Sequence, residues 1–462
     1  MQRFEKWKSE DPTSWFSCRP NQNGFLPVKQ PLNRLPEKYD IINNILEEMK
    51  INKNGYLKQG KLGEIICDQL PEFDFEDITD KQLLAALLRD YCFMASAYSL
   101  EPCHNYLMNS RDSTYGLARA SIPSNLSKPL EVLAVKNNTF PWLDYAHGYG
   151  LNNAVMKDFS KDPTKYDSYQ TIRTFNGNES EQGFINVHVA MNAESGKLLH
   201  YQQECLENIA NDDRASFNSN LQNHFLVFQS ILATLQTMWK ASKSSEYLTF
   251  RTFIMGQIGN TECFPTETIT FERDDESKVM AFRGETGAQD SIIPSVDSFL
   301  DLEYPKNQLT EYLFDLRKYR PKDHQGYINF VKKSSKALEF KKYCFQDAVS
   351  CIYLLKNLNC LRMFRKKHWN LTKKYIIQNT NHPVATGGTP ITTWLPNQLG
   401  ATLEYMQDVL HQKCFKEIPK EHVEFFNSLS LEIQDHIQTV MDEVYSLQPN
   451  FNRQEHQSFL RR

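Results

Sequence analysis

One long amphipathic segment, residues 346–378, constrains the fold of this chain more than any other stretch. Its apolar residues recur at helical spacing around a single histidine, His368. At offsets of −7, −4, +3 and +7 from this histidine stand Leu361, Phe364, Leu371 and Tyr375. The spacing predicts one long helix whose buried face carries the imidazole.

The surroundings of His368 favour a haem-binding helix. Arg365 lies one turn before the histidine and close to the same face, while the flanks are rich in lysine and arginine. A haem needs a nitrogen ligand for its iron, an apolar surface for the porphyrin and a cation for a propionate. No C-x-x-C-H attachment motif is present, so such a haem would be bound non-covalently. On local pattern alone, a lone histidine on an apolar helix face is more often a core histidine that donates a hydrogen bond to a carbonyl.

Composition excludes several classes of protein. The net charge is −4 and the pI about 6.3, whereas a nucleic-acid-binding chain would show a basic excess or stripe. The sequence has no apolar run of membrane-spanning length, and its first residues are polar rather than a signal peptide. The 10 cysteines are scattered singly, without the paired spacing of a disulfide framework or a zinc site. We therefore expect a cytoplasmic protein that binds neither nucleic acid nor membrane.

The chain as a whole predicts a mainly α fold. Helical periodicity recurs from about residue 39 to residue 411, and strand signals are confined to short pieces near 170–175 and 267–282. Residues 1–35 contain four prolines and no helical period, which indicates an extended arm. The polar stretch 160–182 is the best candidate for a domain boundary.

Six groups of short segments, in order between roughly residues 80 and 415, carry a more specific inference. They are Leu126–Leu130 with Phe140–Ala146, Phe250–Gly256, Phe282–Ser291 followed by Asp297–Leu300, Leu316–His324, Arg365 with His368, and Thr386–Thr389. Together they resemble the motifs of the indoleamine 2,3-dioxygenase family, among them its "GGSAAQSS" loop, its "RxxH" pair and the "TGGT" that follows. Six matches in the family's order make the resemblance specific.

The resemblance implies a large all-helical haem-binding domain and a smaller, mostly helical N-terminal domain, with haem b between them. On this basis we divide the chain into an arm, a small domain, a large catalytic domain and a C-terminal helical extension, with the ranges 1–35, 36–160, 161–415 and 416–462. The implied reaction inserts both atoms of O₂, the co-substrate, across the indole 2,3 bond of L-tryptophan or a related indoleamine, with ferrous haem, to give N-formylkynurenine. The partner is then a small molecule, and the sequence leaves monomer and dimer open.

The resemblance also assigns roles to individual residues. His368 would be the proximal ligand of the haem iron, and Arg365 would bind a propionate. Arg251 matches an arginine that clamps the substrate carboxylate, a bidentate pairing that lysine does not reproduce. Thr286 keeps a hydroxyl that could bind substrate, propionate or O₂. Thr386 belongs to a glycine-containing loop that would close over the substrate.

Aromatic and apolar side chains are expected to line the indole pocket, and we assign this role to Tyr145, Tyr149, Phe184, Ile185 and Tyr247. Two departures from the family pattern bear on the substrate. His188 stands where animal members carry a serine, and we count it with Arg251 and Thr286 as a catalytic candidate. Glu246 stands in place of a pocket phenylalanine, where it could favour a cationic substrate or merely face solvent.

These departures leave the substrate open. One alternative is a haem oxygenase of the same superfamily that acts on a modified indole or another aromatic. Another is a non-catalytic oxygen-binding protein on the same scaffold. Arg251 speaks against the second alternative, because an oxygen store has no use for a carboxylate clamp.

Overall fold

The computed structural model describes residues 4–110, 114–304, 308–379, 384–388, 391–416 and 418–447. It confirms the predicted mainly α fold. The first helices along the chain are Asp40–Glu48 (α1), Tyr56–Gln59 (α2), Leu62–Gln69 (α3), Lys81–Asn109 (α4) and Ser124–Lys136 (α5). The middle of the chain forms Glu179–Asn192 (α6), Ser195–Ala210 (α7), Arg214–Gln236 (α8), Met238–Ala241 (α9), Leu248–Arg251 (α10) and Ile292–Phe299 (α11). The last are Gln308–Arg317 (α12), Lys322–Ala337 (α13), Phe340–Cys344 (α14), Ala348–Thr372 (α15), Ile391–Leu410 (α16) and Val423–Leu447 (α17).

The strands are short and form two small sheets. They are Ser121–Ile122 (β1), Ala154–Met156 (β2), Tyr169–Thr171 (β3), Ile269–Phe271 (β4) and Lys278–Met280 (β5). Strand β4 pairs in parallel with β1 and antiparallel with β5, while β2 and β3 form an antiparallel pair. Both sheets are therefore small elements that join the segments between the helices.

The long helix predicted around His368 is confirmed. Helix α15 begins after Asp347, whose carboxylate accepts a hydrogen bond from the N–H of Ser350 at 2.8 Å, a standard N-terminal cap. The helix continues beyond Thr372 as one wider π-helical turn, Lys373–Ile377. The predicted limits, 346 and 378, thus fall within two residues of the observed ends.

Two large hydrophobic clusters form the core. The first cluster draws on α1, α3, α4, α5 and the segment 250–282. The second cluster draws on α7, α8, α11, α13, α15 and α16. Phe184 of α6 and Leu371 of α15 pack against both clusters, so both helices border the junction of the clusters. The division into domains at the boundaries given above stays a prediction.

The N-terminal residues are closely packed onto the helices. Trp15 is buried and its indole N–H donates to the side-chain oxygen of Asn152 at 2.8 Å. The backbone N–H of Cys18 donates to the Asp323 carboxylate at 2.5 Å. Within the described part of the chain, no helix combines the length and the apolar character needed to cross a bilayer.

Candidate active site

A cavity opens at the junction of the two clusters. Helix α6 contributes Phe184 and His188 to its wall, and α15 contributes Phe364, Arg365, His368 and Leu371. The loop that follows β5 adds residues 285–288, and the segment after α15 adds Ala385 and Thr386. Tyr247 and Tyr375 contribute aromatic rings. Most of the predicted site residues therefore meet around one space, although they are scattered over 200 positions of sequence.

His368 lies on this wall as a neutral base. Burial, and then the neighbouring His188, lower the pKa of His368 to about 4. The imidazole is thus uncharged at physiological pH, the form in which it can ligate a metal. Phe364 and Leu371, one turn to either side, cover the wall around it with apolar surface, as the sequence pattern predicted.

His188 offers one ring nitrogen to the cavity. Its Nδ1 lies 2.9 Å from the backbone carbonyl of Phe184, one turn earlier on α6. Because a carbonyl only accepts, Nδ1 carries the proton and Nε2 is the acceptor. A methyl group built on Gly287 of the cavity wall would lie 3.7 Å from Nε2. Burial lowers the pKa of His188, so it too is neutral at physiological pH.

Three guanidinium groups line the same cavity. Arg365 is already engaged, because its Nη2 pairs with the Asp297 carboxylate at 2.8 Å and also donates to the Tyr304 hydroxyl. Arg320 donates from Nε to the backbone carbonyls of Gln289 and Asp290, each at 3.0 Å, and so holds their loop in place.

Arg317 and Arg365 both keep a buried donor that could meet an anion. The Nε of Arg317 is buried without a hydrogen-bond partner among the described residues, as is the Nε of Arg365. Burial lowers the pKa of Arg317, and Asp297 is the first of the groups that oppose this shift. Our sequence reasoning did not single out Arg317, although it lies inside the quoted motif Leu316–His324.

The two threonines make hydrogen bonds in the loops that border the cavity. The hydroxyl of Thr386 donates to the backbone carbonyl of Glu285. The Thr286 hydroxyl accepts weakly from the N–H of Ala288 at 3.4 Å. Gly388 has a φ of +83°, and a methyl group on it would overlap the carbonyl oxygen of Ile258 at 2.0 Å. Only glycine permits this close approach between the loops.

Four of the predicted residues, Tyr145, Tyr149, Ile185 and Arg251, are buried close to the cavity but do not line it. Tyr145 donates its hydroxyl to Asp290 at 3.0 Å and meets His188 edge to face, with ring centres 5.6 Å apart. Tyr149 stacks in the first cluster, and Ile185 is buried in that cluster as well. The fourth is Arg251. Contact of these side chains with a substrate stays a prediction.

Arg251 is completely buried beside Tyr247. Its Nη1 donates to the Tyr115 hydroxyl at 2.6 Å and its Nη2 to the carbonyl of Val384 at 2.5 Å, while Nε has no partner among the described residues. Val384 directly precedes the loop that carries Thr386. A movement of that loop would therefore release a guanidinium N–H next to the cavity.

The two glutamates near the site differ. Glu246, singled out in the sequence, is partly exposed, pairs with Lys243 at 3.2 Å and is not part of the wall. Glu285, which our sequence reasoning did not single out, lies on the wall with 2% exposure. Burial, with the like charge of Asp144, raises the pKa of Glu285 to about 8. Glu285 occupies the position of the second glycine of the "GGSAAQSS" motif. This difference from the motif is the sequence signal by which Glu285 could have been found.

Comparison with known proteins identifies the family. The sequence model described as Indoleamine 2,3-dioxygenase matches residues 18–399, most of the chain. The chain belongs to the indoleamine 2,3-dioxygenase family. It is therefore a dioxygenase, an oxidoreductase, as the sequence resemblance predicted.

Several characterised members of the family are similar to this dioxygenase. An indoleamine 2,3-dioxygenase of Aspergillus nanangensis is 21% identical over 77% of this chain and 84% of its own length. A 6-hydroxytryptophan 2,3-dioxygenase of Fusarium equiseti is 22% identical over 78% and 83%. Indoleamine 2,3-dioxygenase 1 of Rattus norvegicus is 24% identical over 76% and 82%. Identities this low leave the substrate to be argued from the site.

Proposed function

We propose that this dioxygenase binds haem b through His368 and inserts both atoms of O₂ across the indole 2,3 bond of L-tryptophan or a ring-modified tryptophan. The product is N-formylkynurenine or its derivative. The observation that carries the proposal is the neutral His368 on an apolar cavity wall, with buried arginine nitrogens at the same cavity.

The residues present fit a haem. A neutral imidazole is a common ligand of haem iron, and the walls around His368 are largely apolar and aromatic. The Nε groups of Arg317 and Arg365 are buried donors without partners among the described residues, which suits two propionates. When bound, the haem supplies the iron that activates O₂.

The protein's own residues would orient the substrate and keep water out. Phe184 and Tyr247, whose ring centres lie 5.5 Å apart, offer aromatic surface for an indole. His188 offers Nε2 as an acceptor for the indole N–H, in the tautomer that the Phe184 carbonyl selects. The loop bearing Thr386 would close the cavity, and its movement would present Arg251 to the substrate carboxylate.

A ring-modified tryptophan is a specific second candidate. The Fusarium equiseti relative is named for 6-hydroxytryptophan, and the buried carboxyl of Glu285 adds a polar group to the wall of this cavity.

An isotope experiment tests the proposed reaction. The purified, haem-loaded protein is given L-tryptophan under ¹⁸O₂, and the product is analysed by mass spectrometry. We expect N-formylkynurenine with two labelled oxygens. A product with one labelled oxygen, or turnover that survives removal of haem, would contradict the proposal.

A further inference from the structure

Glu285 is held on the cavity wall by the packing of its own loop. A methyl group built on the preceding Gly284 would lie 2.3 Å from the backbone nitrogen of Gly256 and 2.5 Å from the carbonyl oxygens of Ile254 and Thr386. The backbone on that side is therefore in direct contact with two other segments. The carbonyl of Glu285 accepts the Thr386 hydroxyl, and the Glu285 side chain lies on the wall of the cavity.

The Glu285 carboxyl lacks the partners that other acidic groups of the cavity have. Asp297 pairs with Arg365 at 2.8 Å, and Asp290 accepts an N–H of Asn192 at 2.9 Å. Glu285 makes no side-chain hydrogen bond or ion pair with any residue that the structure describes, and it is 2% exposed. A buried polar group without a partner costs free energy, and a ligand that supplies the partner recovers it.

The position of Glu285 indicates which end of a substrate it meets. It lies close enough to interact electrostatically with the hydroxyl groups of Tyr145, Tyr149 and Tyr247. Asp144 is the charged group that acts on it, and no arginine or lysine of the described residues does so. Glu285 thus belongs to the aromatic end of the cavity. The three guanidinium groups of the wall, those of Arg317, Arg320 and Arg365, are not among the charges that act on Glu285.

An amino-acid substrate would orient accordingly. Its carboxylate would turn towards the arginines and its ring towards Phe184 and Tyr247. Unmodified tryptophan has no polar group on its six-membered ring, so it would leave the Glu285 carboxyl unpartnered. A hydroxyl on that ring would reach a group that can accept its hydrogen.

We propose that Glu285 determines substrate specificity by binding a hydrogen-bond donor, such as a hydroxyl, on the six-membered ring of the indole substrate. The proposal rests on the proposed dioxygenase function and names the substrate class. Glu285 touches the substrate in this scheme and takes no part in the oxygen chemistry.

The test compares kcat/KM for tryptophan with that for the 4-, 5-, 6- and 7-hydroxytryptophans in the holoenzyme. A buried hydrogen bond of ~1.5 kcal/mol corresponds to about a tenfold preference. We expect the wild type to prefer one hydroxy isomer over tryptophan by at least about tenfold. The methyl analogue at the same ring position should show no such preference.

The variants connect that preference to Glu285. Glu285→Gln keeps a hydrogen-bond acceptor and should keep much of the preference, whereas Glu285→Leu, of similar size, should lose it. Glu285→Gly is a second variant without the side chain, and glycine is the residue of the "GGSAAQSS" motif here. Glu246→Leu is the matched control, since Glu246 lies near Tyr247 and is not part of the wall. It should behave as the wild type.

The outcomes separate this proposal from the function on which it rests. A holoenzyme that oxidises neither tryptophan nor any hydroxytryptophan refutes the proposed function. A holoenzyme that oxidises tryptophan without preferring a hydroxy isomer refutes the role of Glu285 alone. A preference that persists in both Glu285→Leu and Glu285→Gly likewise assigns the recognition to another residue.

Discussion

The buried carboxyl of Glu285 should make the free energy of unfolding depend on pH. Its pKa is about 8, against 4.5 for a glutamate in water. Between pH 4.5 and pH ~8 the folded protein holds a proton that the unfolded chain has released, so a rise in pH through this range favours unfolding. At 1.36 kcal/mol per pKa unit, the full loss is ~5 kcal/mol above pH 8.

The variant Glu285→Gln isolates this contribution, because glutamine fills nearly the same space and does not titrate. Subtracting its unfolding free energy from that of the wild type removes the other groups. Relative to the wild type, the variant should gain ~4 kcal/mol in unfolding free energy between pH 5 and pH 8.5. Urea unfolding of both proteins, followed by circular dichroism at several pH values, measures this difference.

Glu246 provides the control for this experiment. Glu246→Gln removes a carboxylate that is partly exposed and paired with Lys243, so its difference from the wild type should stay within about 1 kcal/mol. A pH-independent difference for Glu285→Gln would show that the carboxyl is solvated or paired. Glu285 would then have no unpartnered carboxyl to offer to a substrate.

Three further substitutions test the haem site and the substrate contacts. His368→Ala should lose most bound haem, seen as the loss of the Soret band, while its far-ultraviolet circular dichroism stays helical; full haem occupancy would assign the iron to another ligand. Arg251→Ala should weaken transition-state binding of tryptophan by the ~3–5 kcal/mol typical of breaking a buried charged pair, and kcat/KM should fall accordingly. Turnover of tryptamine, which lacks the carboxylate, should scarcely change. Equal losses for both would make Arg251 structural. Because burial lowers the pKa of His188, it should become protonated only below pH ~6.5, and activity should fall there with a slope that His188→Ser flattens. Identical pH profiles would limit His188 to its bond with the Phe184 carbonyl.

Local periodicity explains why so much of the central helix could be predicted. The apolar stripe and the one-turn separation of Arg365 and His368 are properties of a single helix. The same holds for His188 and Phe184, which lie one turn apart on α6. Such relations depend only on helical geometry, so the sequence contains them.

The composition of the cavity wall could not be predicted in the same way. Motifs give the identity of Arg251 and Tyr145, but whether a side chain lines the cavity depends on how distant segments pack. Asp297 pairs with Arg365, 68 positions away, and the Nε of Arg317 has no hydrogen-bond partner among the described residues. No local pattern records which of several arginines remains available to a ligand.

An ultraviolet–visible spectrum of the purified protein, taken before and after L-tryptophan is added under O₂, tests both the haem site and the proposed reaction. It reports the cofactor and the product in one sample. We expect a Soret band that depends on His368 and the growth of N-formylkynurenine absorbance after addition. A protein that binds no haem would contradict the assignment of the cavity, and a haem protein that leaves every tryptophan derivative unchanged would contradict the proposed reaction.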